Sequence, residues 1–431
     1  MFFDRPDAGR KAVILHVQFQ GAASAAALDE CVELAGTAEL DVVGAVTASR
    51  RQPHPRWFIG SGKLEELKAR MAHAAADLLI VNHELGAGQQ RNLEQACACR
   101  VITRTELILG IFAERARTYE GQLQVELAQL KHAQTRLVRG WTHLDRQKGG
   151  IGLRGAGETQ LELDQRMLSE RIRGVEQKLL SVANRRARGR RRRERSNTTT
   201  ISLVGYTNAG KSTLFNALTT SDVITEDKLF ATLDPTMRRL RIDGVGDVVI
   251  ADTVGFISRL PHSLIEAFKA TLEEVAGADL LLHVVDAATP GQAGRIAEVN
   301  AVLAEIGALD IPTIMVRNKM DLRGEAQPVV QGAADVNVSA RTGTGLDDLR
   351  RSIARVLGVS APAHILLAPE DGRTRAWLYR LGAVIEEDVT EDGRVALSLR
   401  ADPALLGKLK GLPTVLLQRG RPVHTLSTLA D

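Results

Sequence analysis

The sequence predicts an α/β protein of several domains: a small parallel α/β domain, a long antiparallel helical hairpin, a larger α/β domain and a small C-terminal α/β domain. The first of three observations is the length of 431 residues, which exceeds what one ordinary core holds. The second is that short apolar runs alternate with helical patterns in the first and third units. The third is a pair of long leucine-rich helical patterns between them. We expect the units to span 1–118, 119–197, 198–358 and 359–431.

The N-terminal unit has the alternation expected of a small parallel sheet covered by helices. Its apolar runs lie at 12–17, 42–46, 78–81 and 101–102, and its helical patterns lie at about 23–35, 62–74 and 86–97. The stretch Gly60-Ser61-Gly62-Lys63 resembles half of a phosphate-binding loop. Because it lacks the full spacing, we predict a capped helix start there instead.

Residues 119–197 carry two patterns with the a/d spacing of packed helices, which predicts an antiparallel hairpin. The apolar positions are Leu123, Leu127, Leu130 and Leu137, followed by Leu168, Ile172, Val175, Leu179 and Val182. Between them, the segment 149–160 is rich in glycine, which loses much conformational entropy on folding. With Arg146, Lys148 and Arg154 around it, we interpret this tip as a mobile segment that probes RNA, and a plain connector is the alternative.

The most informative stretch is the turn Gly205-Tyr206-Thr207-Asn208-Ala209-Gly210-Lys211-Ser212. It follows the apolar run 200–204 and opens a helical pattern that continues with Thr213, which is the context that a phosphate-binding P-loop requires. Backbone N–H groups of such a loop surround an anion, and the helix N-terminus adds positive partial charge. We expect Lys211 to reach the β- and γ-phosphates and to be catalytic, and the Ser212 hydroxyl to ligate Mg²⁺. A glycine-rich turn without a ligand is the alternative, which the flanking strand and helix disfavour. The chain is therefore predicted to bind a nucleoside triphosphate.

Two later segments indicate which base is bound. Asn318-Lys319-Met320-Asp321 follows an apolar strand about 110 residues after the P-loop. The Asp321 carboxylate can accept from both N1–H and the 2-amino group of guanine, whereas adenine would leave the charge unpaired. We expect the Lys319 stem to lie along the base and Asn318 to tie this turn to the P-loop. Val338-Ser339-Ala340 ends another strand and is expected to offer a backbone N–H to guanine O6.

The residues expected to act in hydrolysis lie between these motifs. In Asp252-Thr253-Val254-Gly255, the Asp252 carboxylate is expected to hold Mg²⁺ through a water, and the Gly255 N–H to sense the γ-phosphate. Phe230-Ala231-Thr232-Leu233-Asp234-Pro235-Thr236 is the expected first switch, and chemistry alone leaves the metal-binding threonine open between Thr232 and Thr236. Gly255 is followed by Phe256, where many GTPases carry the glutamine that orients the attacking water. We therefore predict slow hydrolysis by the free protein and completion of the site by a partner. Another side chain of the same protein is the alternative.

Asn208 has two interpretations. In GTPases with an asparagine at this place of the P-loop, it often helps to bind K⁺, which supplies positive charge to the transition state. The alternative is an amide that braces the loop.

Composition indicates a cytoplasmic enzyme, with partial membrane association left open. No apolar run reaches the ~18 residues that span a bilayer, and the first six residues lack the apolar region of a signal peptide. Cys31, Cys97 and Cys99 form no disulfide framework and no zinc-knuckle spacing, so we expect ordinary thiols.

Positive charge is concentrated before the central domain. Residues 185–195 contain eight arginines and one glutamate, which gives the tract +7. Because the whole chain carries +4, the remainder carries −3. A cluster this dense repels itself, and a phosphate backbone is its natural counter-surface. Few aromatic residues lie nearby, so the tract favours contact with folded RNA over stacking on single-stranded bases. A solubilising linker is the alternative.

These motifs together resemble the HflX family of ribosome-associated GTPases. The resemblance covers the N-terminal unit, the hairpin and the central domain, which the family builds as a P-loop GTPase domain. The matching segments are Arg154-Gly155-Ala156-Gly157-Glu158-Thr159-Gln160-Leu161-Glu162, Gly205-Tyr206-Thr207-Asn208-Ala209-Gly210-Lys211-Ser212, Phe230-Ala231-Thr232-Leu233-Asp234, Asp252-Thr253-Val254-Gly255-Phe256 and Asn318-Lys319-Met320-Asp321. The resemblance implies Thr232 as the switch threonine, catalytic and bound to Mg²⁺, beside Ser212 and Asp252. It also implies binding to the large (50S) ribosomal subunit through the N-terminal region, ribosome-stimulated GTP hydrolysis, and splitting or rescue of stalled ribosomes under stress.

Three functions are compatible with these features. The first is a monomeric GTPase switch that binds GTP, GDP and Mg²⁺ and acts on the 50S subunit and its RNA. The second is an RNA-remodelling, helicase-like factor acting on ribosomal RNA, with ATP used at a further site. The third is a GTP-binding structural subunit without turnover.

Overall fold

The computed structural model describes most of the chain. The described residues are 11–19, 25–141, 156–195, 198–219, 229–230, 236–243, 245–258, 269–323, 335–357, 363–390, 392–399, 409, 412 and 415–418. Among them, no helix has the length and apolar character needed to cross a bilayer.

The N-terminal sheet is parallel and has the strand order β2-β1-β3-β4. Its strands are β1 (Lys11–Phe19), β2 (Asp41–Arg50), β3 (Leu78–Val81) and β4 (Arg100–Thr103), and its helices are α1 (Ala25–Thr37), α2 (Ser61–Ala74), α3 (Ala87–Cys97) and α4 (Arg104–Arg115). Helix α2 begins where the Gly60 segment predicted a helix start, although no side chain caps it.

Helix α4 was not predicted, although the sequence carries a signal for it. Thr103 and Glu106 form a capping box, in which the Glu106 N–H donates to Thr103 Oγ1 at 3.3 Å and the Thr103 N–H donates to Glu106 Oε2 at 2.8 Å. The box starts the helix immediately after β4, so Arg104 occupies its first turn.

Two long helices, α5 (Tyr119–Trp141) and α6 (Ala156–Arg195), pack side by side as the predicted hairpin requires. Their shared apolar cluster contains the predicted positions Leu123, Leu127, Leu130, Leu168, Ile172 and Val175, with Leu137 and Leu179 at its border. Arg171 donates to Glu126 across the pair at 2.7 Å. The arginine tract continues α6 to its C-terminal end, and the side chains of Arg185 and Arg188 are exposed. Residues 142–155, which hold most of the glycine-rich tip, lie outside the described residues.

The central sheet has the strand order β10-β9-β8-β5-β7-β6, and only the pairing of β6 with β7 is antiparallel. Its strands are β5 (Thr200–Gly205), β6 (Thr236–Ile242), β7 (Gly246–Asp252), β8 (Leu280–Asp286), β9 (Thr313–Asn318) and β10 (Asp335–Asn337), and its helices are α7 (Lys211–Thr219), α8 (Lys269–Ala276), α9 (Gln292–Glu305) and α10 (Leu346–Val356). The strand that was expected to end with Val338-Ser339-Ala340 ends at Asn337 instead, because the Ser339 N–H leaves the ladder and donates to Thr344 O at 2.9 Å. The predicted α/β fold with a P-loop domain is confirmed.

The C-terminal unit is an antiparallel sheet with one described helix. The strand order is β12-β13-β11-β14. The strands are β11 (Ala363–Leu367), β12 (Val384–Val389), β13 (Val395–Leu399) and β14 (Val415–Gln418), and the helix is α11 (Gly372–Arg380). Strand β13 lies within residues 394–399, the clearest strand pattern in the C-terminal part of the sequence.

The N-terminal domain and the central domain share one apolar core. This core joins residues of α1 and α4 to Tyr206 of the P-loop and to Phe230 and Phe256 near it. The Phe112 and Phe230 rings meet edge to face, with 4.6 Å between their centroids. The side of the central domain that carries the predicted nucleotide motifs is therefore partly covered by the N-terminal domain.

Candidate nucleotide site

The fold brings the predicted motifs to one edge of the central sheet. The P-loop follows β5, Asp252 ends β7, Asn318 ends β9, and residues 338–340 follow β10. Strands β5, β7, β8, β9 and β10 are parallel, so all these residues lie at their carboxyl ends. Ligands of open α/β sheets bind in this position.

The P-loop lysine and the two predicted metal ligands lie next to one another. Lys211 is buried and donates to the carbonyl oxygens of Gly205 and Tyr206 at 3.2 and 2.9 Å. Burial lowers the pKa of its ammonium group to about 8, although the charge of Asp252 acts in the opposite direction. Ser212 Oγ donates to Asp252 Oδ2 at 2.6 Å. A hydroxyl and a carboxylate at this distance fit a Mg²⁺ ion, which prefers hard oxygen ligands.

The segment after Asp252 folds tightly against the P-loop. Thr253 is buried and donates to Leu203 O at 2.5 Å. A Cβ atom at Gly255 would lie 2.8 Å from Thr207 Cα and 2.9 Å from Lys211 Nζ, so only glycine fits this approach. Val254 is also buried.

The backbone of Phe256 is also hydrogen-bonded to the P-loop. Its N–H donates to Gly205 O at 3.1 Å, and its carbonyl accepts from the Thr207 N–H at 2.7 Å. The Phe256 ring is 4% exposed and belongs to the core shared with the N-terminal domain. The residue after Gly255 therefore places an apolar, buried ring where many GTPases carry a glutamine.

The two guanine-binding segments are joined to the P-loop through Asn318, which is 2% exposed. Its Nδ2 donates to Ala209 O at 3.0 Å, and its Oδ1 accepts from the Ala340 N–H at 3.0 Å. A Cβ atom at Gly210, where φ is +87°, would lie 2.3 Å from this same amide nitrogen. Asn318 thus fixes the P-loop and the 338–340 turn relative to each other.

The other residues of these segments have defined partners. Lys319 Nζ lies 2.9 Å from Asp286 Oδ2, and Lys319 has a left-handed backbone with φ of 64°. Burial alone raises the pKa of Asp286, but the hydrogen bond and charge of Lys319 outweigh it and leave this pKa below its usual value. Asp321 is exposed and accepts from Ser339 Oγ at 2.7 Å. Met320 begins the short 3₁₀ turn that carries Asp321.

Asn208 has a left-handed backbone, with φ of 58°, and an exposed side chain. Within the residues that the structure describes, its side-chain amide makes no hydrogen bond that would brace the loop.

Part of the expected first switch is outside the described residues, namely Ala231, Thr232, Leu233, Asp234 and Pro235. Phe230 is described and is buried against Phe112. Thr236 is the other threonine considered as the metal-binding residue of this switch. It begins β6 and pairs with Asp252 in the ladder.

Three residues that no sequence motif predicted also reach this site: Glu30, Arg104 and Ser258. The Tyr206 hydroxyl donates to Glu30, and Arg104 Nη2 donates to the carbonyl oxygen of Ser258 at 3.2 Å. Between 154 and 228 residues separate the N-terminal members from Ser258, so no local sequence pattern could have linked them.

Comparison with known proteins identifies the family. Three family models match in order: "GTP-binding GTPase N-terminal" over residues 25–113, "GTP-binding GTPase Middle Region" over 115–193 and "50S ribosome-binding GTPase" over 200–319. GTPase HflX of Escherichia coli is 49% identical over 92% of this chain and 95% of its own length.

Two further relatives have similar values. GTPase HflX of Magnetococcus marinus is 46% identical over 89% of this chain and 90% of its own, and that of Caldanaerobacter subterraneus is 48% identical over 87% of both. Among solved structures, a GTP-binding protein of Sulfolobus solfataricus in complex with GDP is 23% identical, with a TM-score of 0.43 over 80% of this chain and 98% of that chain. On the identity and coverage of its bacterial relatives, this chain belongs to the HflX family of GTPases.

Proposed function

We propose that this GTPase binds the large ribosomal subunit, hydrolyses GTP slowly on its own and rapidly on the ribosome, and splits or rescues stalled ribosomes under stress. The observation that carries the proposal is the burial of Phe256. Its phenyl ring neither donates nor accepts a hydrogen bond, and it lies in the core shared by two domains. A water next to the γ-phosphate therefore has no glutamine at this position to orient it.

The nucleotide is assigned to the carboxyl edge of the central sheet. Lys211 would neutralise the β- and γ-phosphates, the Gly255 N–H would contact the γ-phosphate, and Asp321 would bind guanine. Ser212, Asp252 and, by family resemblance, Thr232 would hold Mg²⁺, which offsets the charge that develops on the phosphate oxygens. The preference for guanine over adenine follows from the paired donors that only guanine offers to a carboxylate.

Potassium is a further proposed cofactor, bound with the help of Asn208. The exposed amide, which makes no bracing hydrogen bond among the described residues, supports it. GTP turnover measured in K⁺ and in Na⁺ buffers of equal ionic strength tests the assignment. A several-fold higher rate in K⁺ is expected, and equal rates in both buffers would remove the cation from the mechanism.

The RNA contact is assigned to the basic end of α6 and to the N-terminal domain. Eight arginines within residues 185–195 supply charge for a phosphate backbone, and one family model that matches the chain is described as a 50S ribosome-binding GTPase. We propose that the protein acts as a monomer.

The test is phosphate release with no addition, with isolated small subunits, with isolated large subunits and with protein-free ribosomal RNA. A rise of at least tenfold with large subunits alone is expected. An equal rise with protein-free RNA would favour an RNA-remodelling factor. Brisk hydrolysis by the free protein, unaffected by either subunit, would overturn the proposal. The Lys211→Ala variant is the background control, because it removes the phosphate-binding charge.

A further inference from the structure

A buried hydrogen-bond network joins the N-terminal domain to the nucleotide site. Glu30 on α1 and Arg104 on α4 form an ion pair at 2.7 Å, and their side chains are 8% and 7% exposed. The Tyr206 hydroxyl donates to Glu30 and accepts from the Ser258 N–H at 2.6 Å. Arg104 donates to Ser258 O at 3.2 Å, and Ser258 Oγ donates to Glu30. The ion pair of one domain therefore contacts the P-loop and the segment after Asp252 in the other.

The side chains of the network have further contacts in both domains. Asn82 Oδ1 accepts from Arg104 Nη1 at 3.0 Å, and Asn82 Nδ2 donates to Ala27 O at 2.8 Å. Burial, followed by the neighbouring Glu30 charge, raises the pKa of Tyr206, so its hydroxyl keeps its proton and acts as a donor. The Arg295 guanidinium lies 4.9 Å from the centroid of the Tyr206 ring. Each group that meets Ser258 is thus fixed by further contacts.

Ser258 lies three residues after Gly255, and the short segment between them is attached at both ends. At the Gly255 end, a Cβ atom added to the glycine would come within 2.8 Å of Thr207 Cα and 2.9 Å of Lys211 Nζ, so the space between this backbone and the P-loop is narrow. At the other end, Ser258 is bound to Glu30, Arg104 and Tyr206. Segment 255–258 has little freedom to move, because both backbone hydrogen bonds of Phe256 are made with the P-loop.

We propose that Glu30 and Arg104 are positioning residues of the GTPase site, which act through Tyr206 and Ser258 to hold segment 255–258 against the P-loop. This inference rests on the proposed function, because it assigns the γ-phosphate contact to Gly255. A γ-phosphate that contacts both Lys211 and the Gly255 N–H has to enter the narrow space between them, so the Gly255 backbone has to shift. That movement reaches Ser258 and stretches its hydrogen bonds, whereas GDP places no atom there. The network consequently disfavours GTP relative to GDP until the N-terminal domain moves.

The beginning of the first switch is attached to the same domain. The Leu229 N–H donates to Thr37 Oγ1 at 3.2 Å, and the Phe230 ring packs on Phe112. Phe230 has φ of 55°, a left-handed backbone that is unfavourable for an aromatic residue and that this packing maintains. Both segments expected to contact the γ-phosphate are therefore bound to the N-terminal domain.

The test is the Tyr206→Phe variant of the full chain, which keeps the ring and removes only the hydroxyl. The dissociation constants of GDP and of guanosine 5′-[β,γ-imido]triphosphate are measured for the variant and the wild type. We expect the preference to shift about tenfold towards the triphosphate. Tyr379→Phe is the matched control, because the Tyr379 hydroxyl also donates to a glutamate, Glu387, but lies in the C-terminal domain. It should leave the ratio unchanged.

Ser258→Ala is the second variant, and it tests the positioning role of the network if Tyr206→Phe does not fold. It removes the hydroxyl contacts to Glu30 and Arg104, so we expect a smaller shift, about threefold, in the same direction. An unchanged ratio in the folded variants would overturn the inference. An equal loss of affinity for both nucleotides would also overturn it, because that result indicates a purely structural role. Failure of the wild type to bind either nucleotide would instead refute the proposed function.

Discussion

The hydrogen bonds of Asn318 lead to a prediction whose size follows from the structure. In the Asn318→Ala variant, the Ala209 carbonyl and the Ala340 N–H lose their partner, and both residues are nearly inaccessible, at 1% and 8% exposed. Leaving a buried donor or acceptor without a partner costs about 1–3 kcal/mol, so the two together cost about 2–6 kcal/mol. We expect the P-loop and the guanine turn to separate in the free variant, so that nucleotide binding must restore their arrangement against this cost.

At about 1.4 kcal/mol for each factor of ten, the dissociation constant for GDP should rise by about 30-fold to about 20,000-fold. Fluorescence titration with a labelled guanine nucleotide measures it, and thermal unfolding verifies that the variant is folded. The matched control is Asn337→Ala on the neighbouring strand, whose Oδ1 has no hydrogen-bond partner among the described residues. The control should bind GDP like the wild type. If Asn318→Ala also binds within about threefold of the wild type, the reasoning is refuted.

Three further predictions concern hydrolysis, base selection and RNA. Gly255→Ala should lower GTP turnover at least tenfold while GDP affinity stays within about threefold, because a Cβ atom would lie 2.9 Å from Lys211 Nζ. Phosphate release measures this effect, and Gly294→Ala, with no atom within 4 Å of the added Cβ, should behave as wild type. Asp321→Asn should shift base preference from guanine towards xanthine, because the amide can donate to a keto group; competition between the two nucleotides checks it, and an unchanged preference would contradict the assignment. Replacing the eight arginines of residues 185–195 with serine should flatten the salt dependence of ribosome binding by up to about 0.9 per lost phosphate contact, whereas an identical slope would mean that the tract faces solvent.

Several features of the site could be predicted because they are local in the chain. The P-loop, the Asp252 segment and the Asn318 segment each follow an apolar strand, and parallel strands in one sheet bring their carboxyl ends to the same edge. The leucine spacing of the two long helices also predicted their shared core, because helical periodicity fixes which side chains share a face. The capping box at Thr103 could also have been predicted from the sequence, but it indicates only where α4 begins.

By itself, the sequence determined the order of the elements, the family and the residues that meet at the sheet edge, because short-range backbone geometry encodes each of them. Only the tertiary structure decided that Glu30 and Arg104 meet Tyr206 and Ser258. An ion pair between two domains depends on how their surfaces pack, and no periodicity or motif spacing encodes a contact across 228 residues. The same packing buries Phe256. The N-terminal domain therefore packs against an apolar ring at the position where many GTPases carry a glutamine.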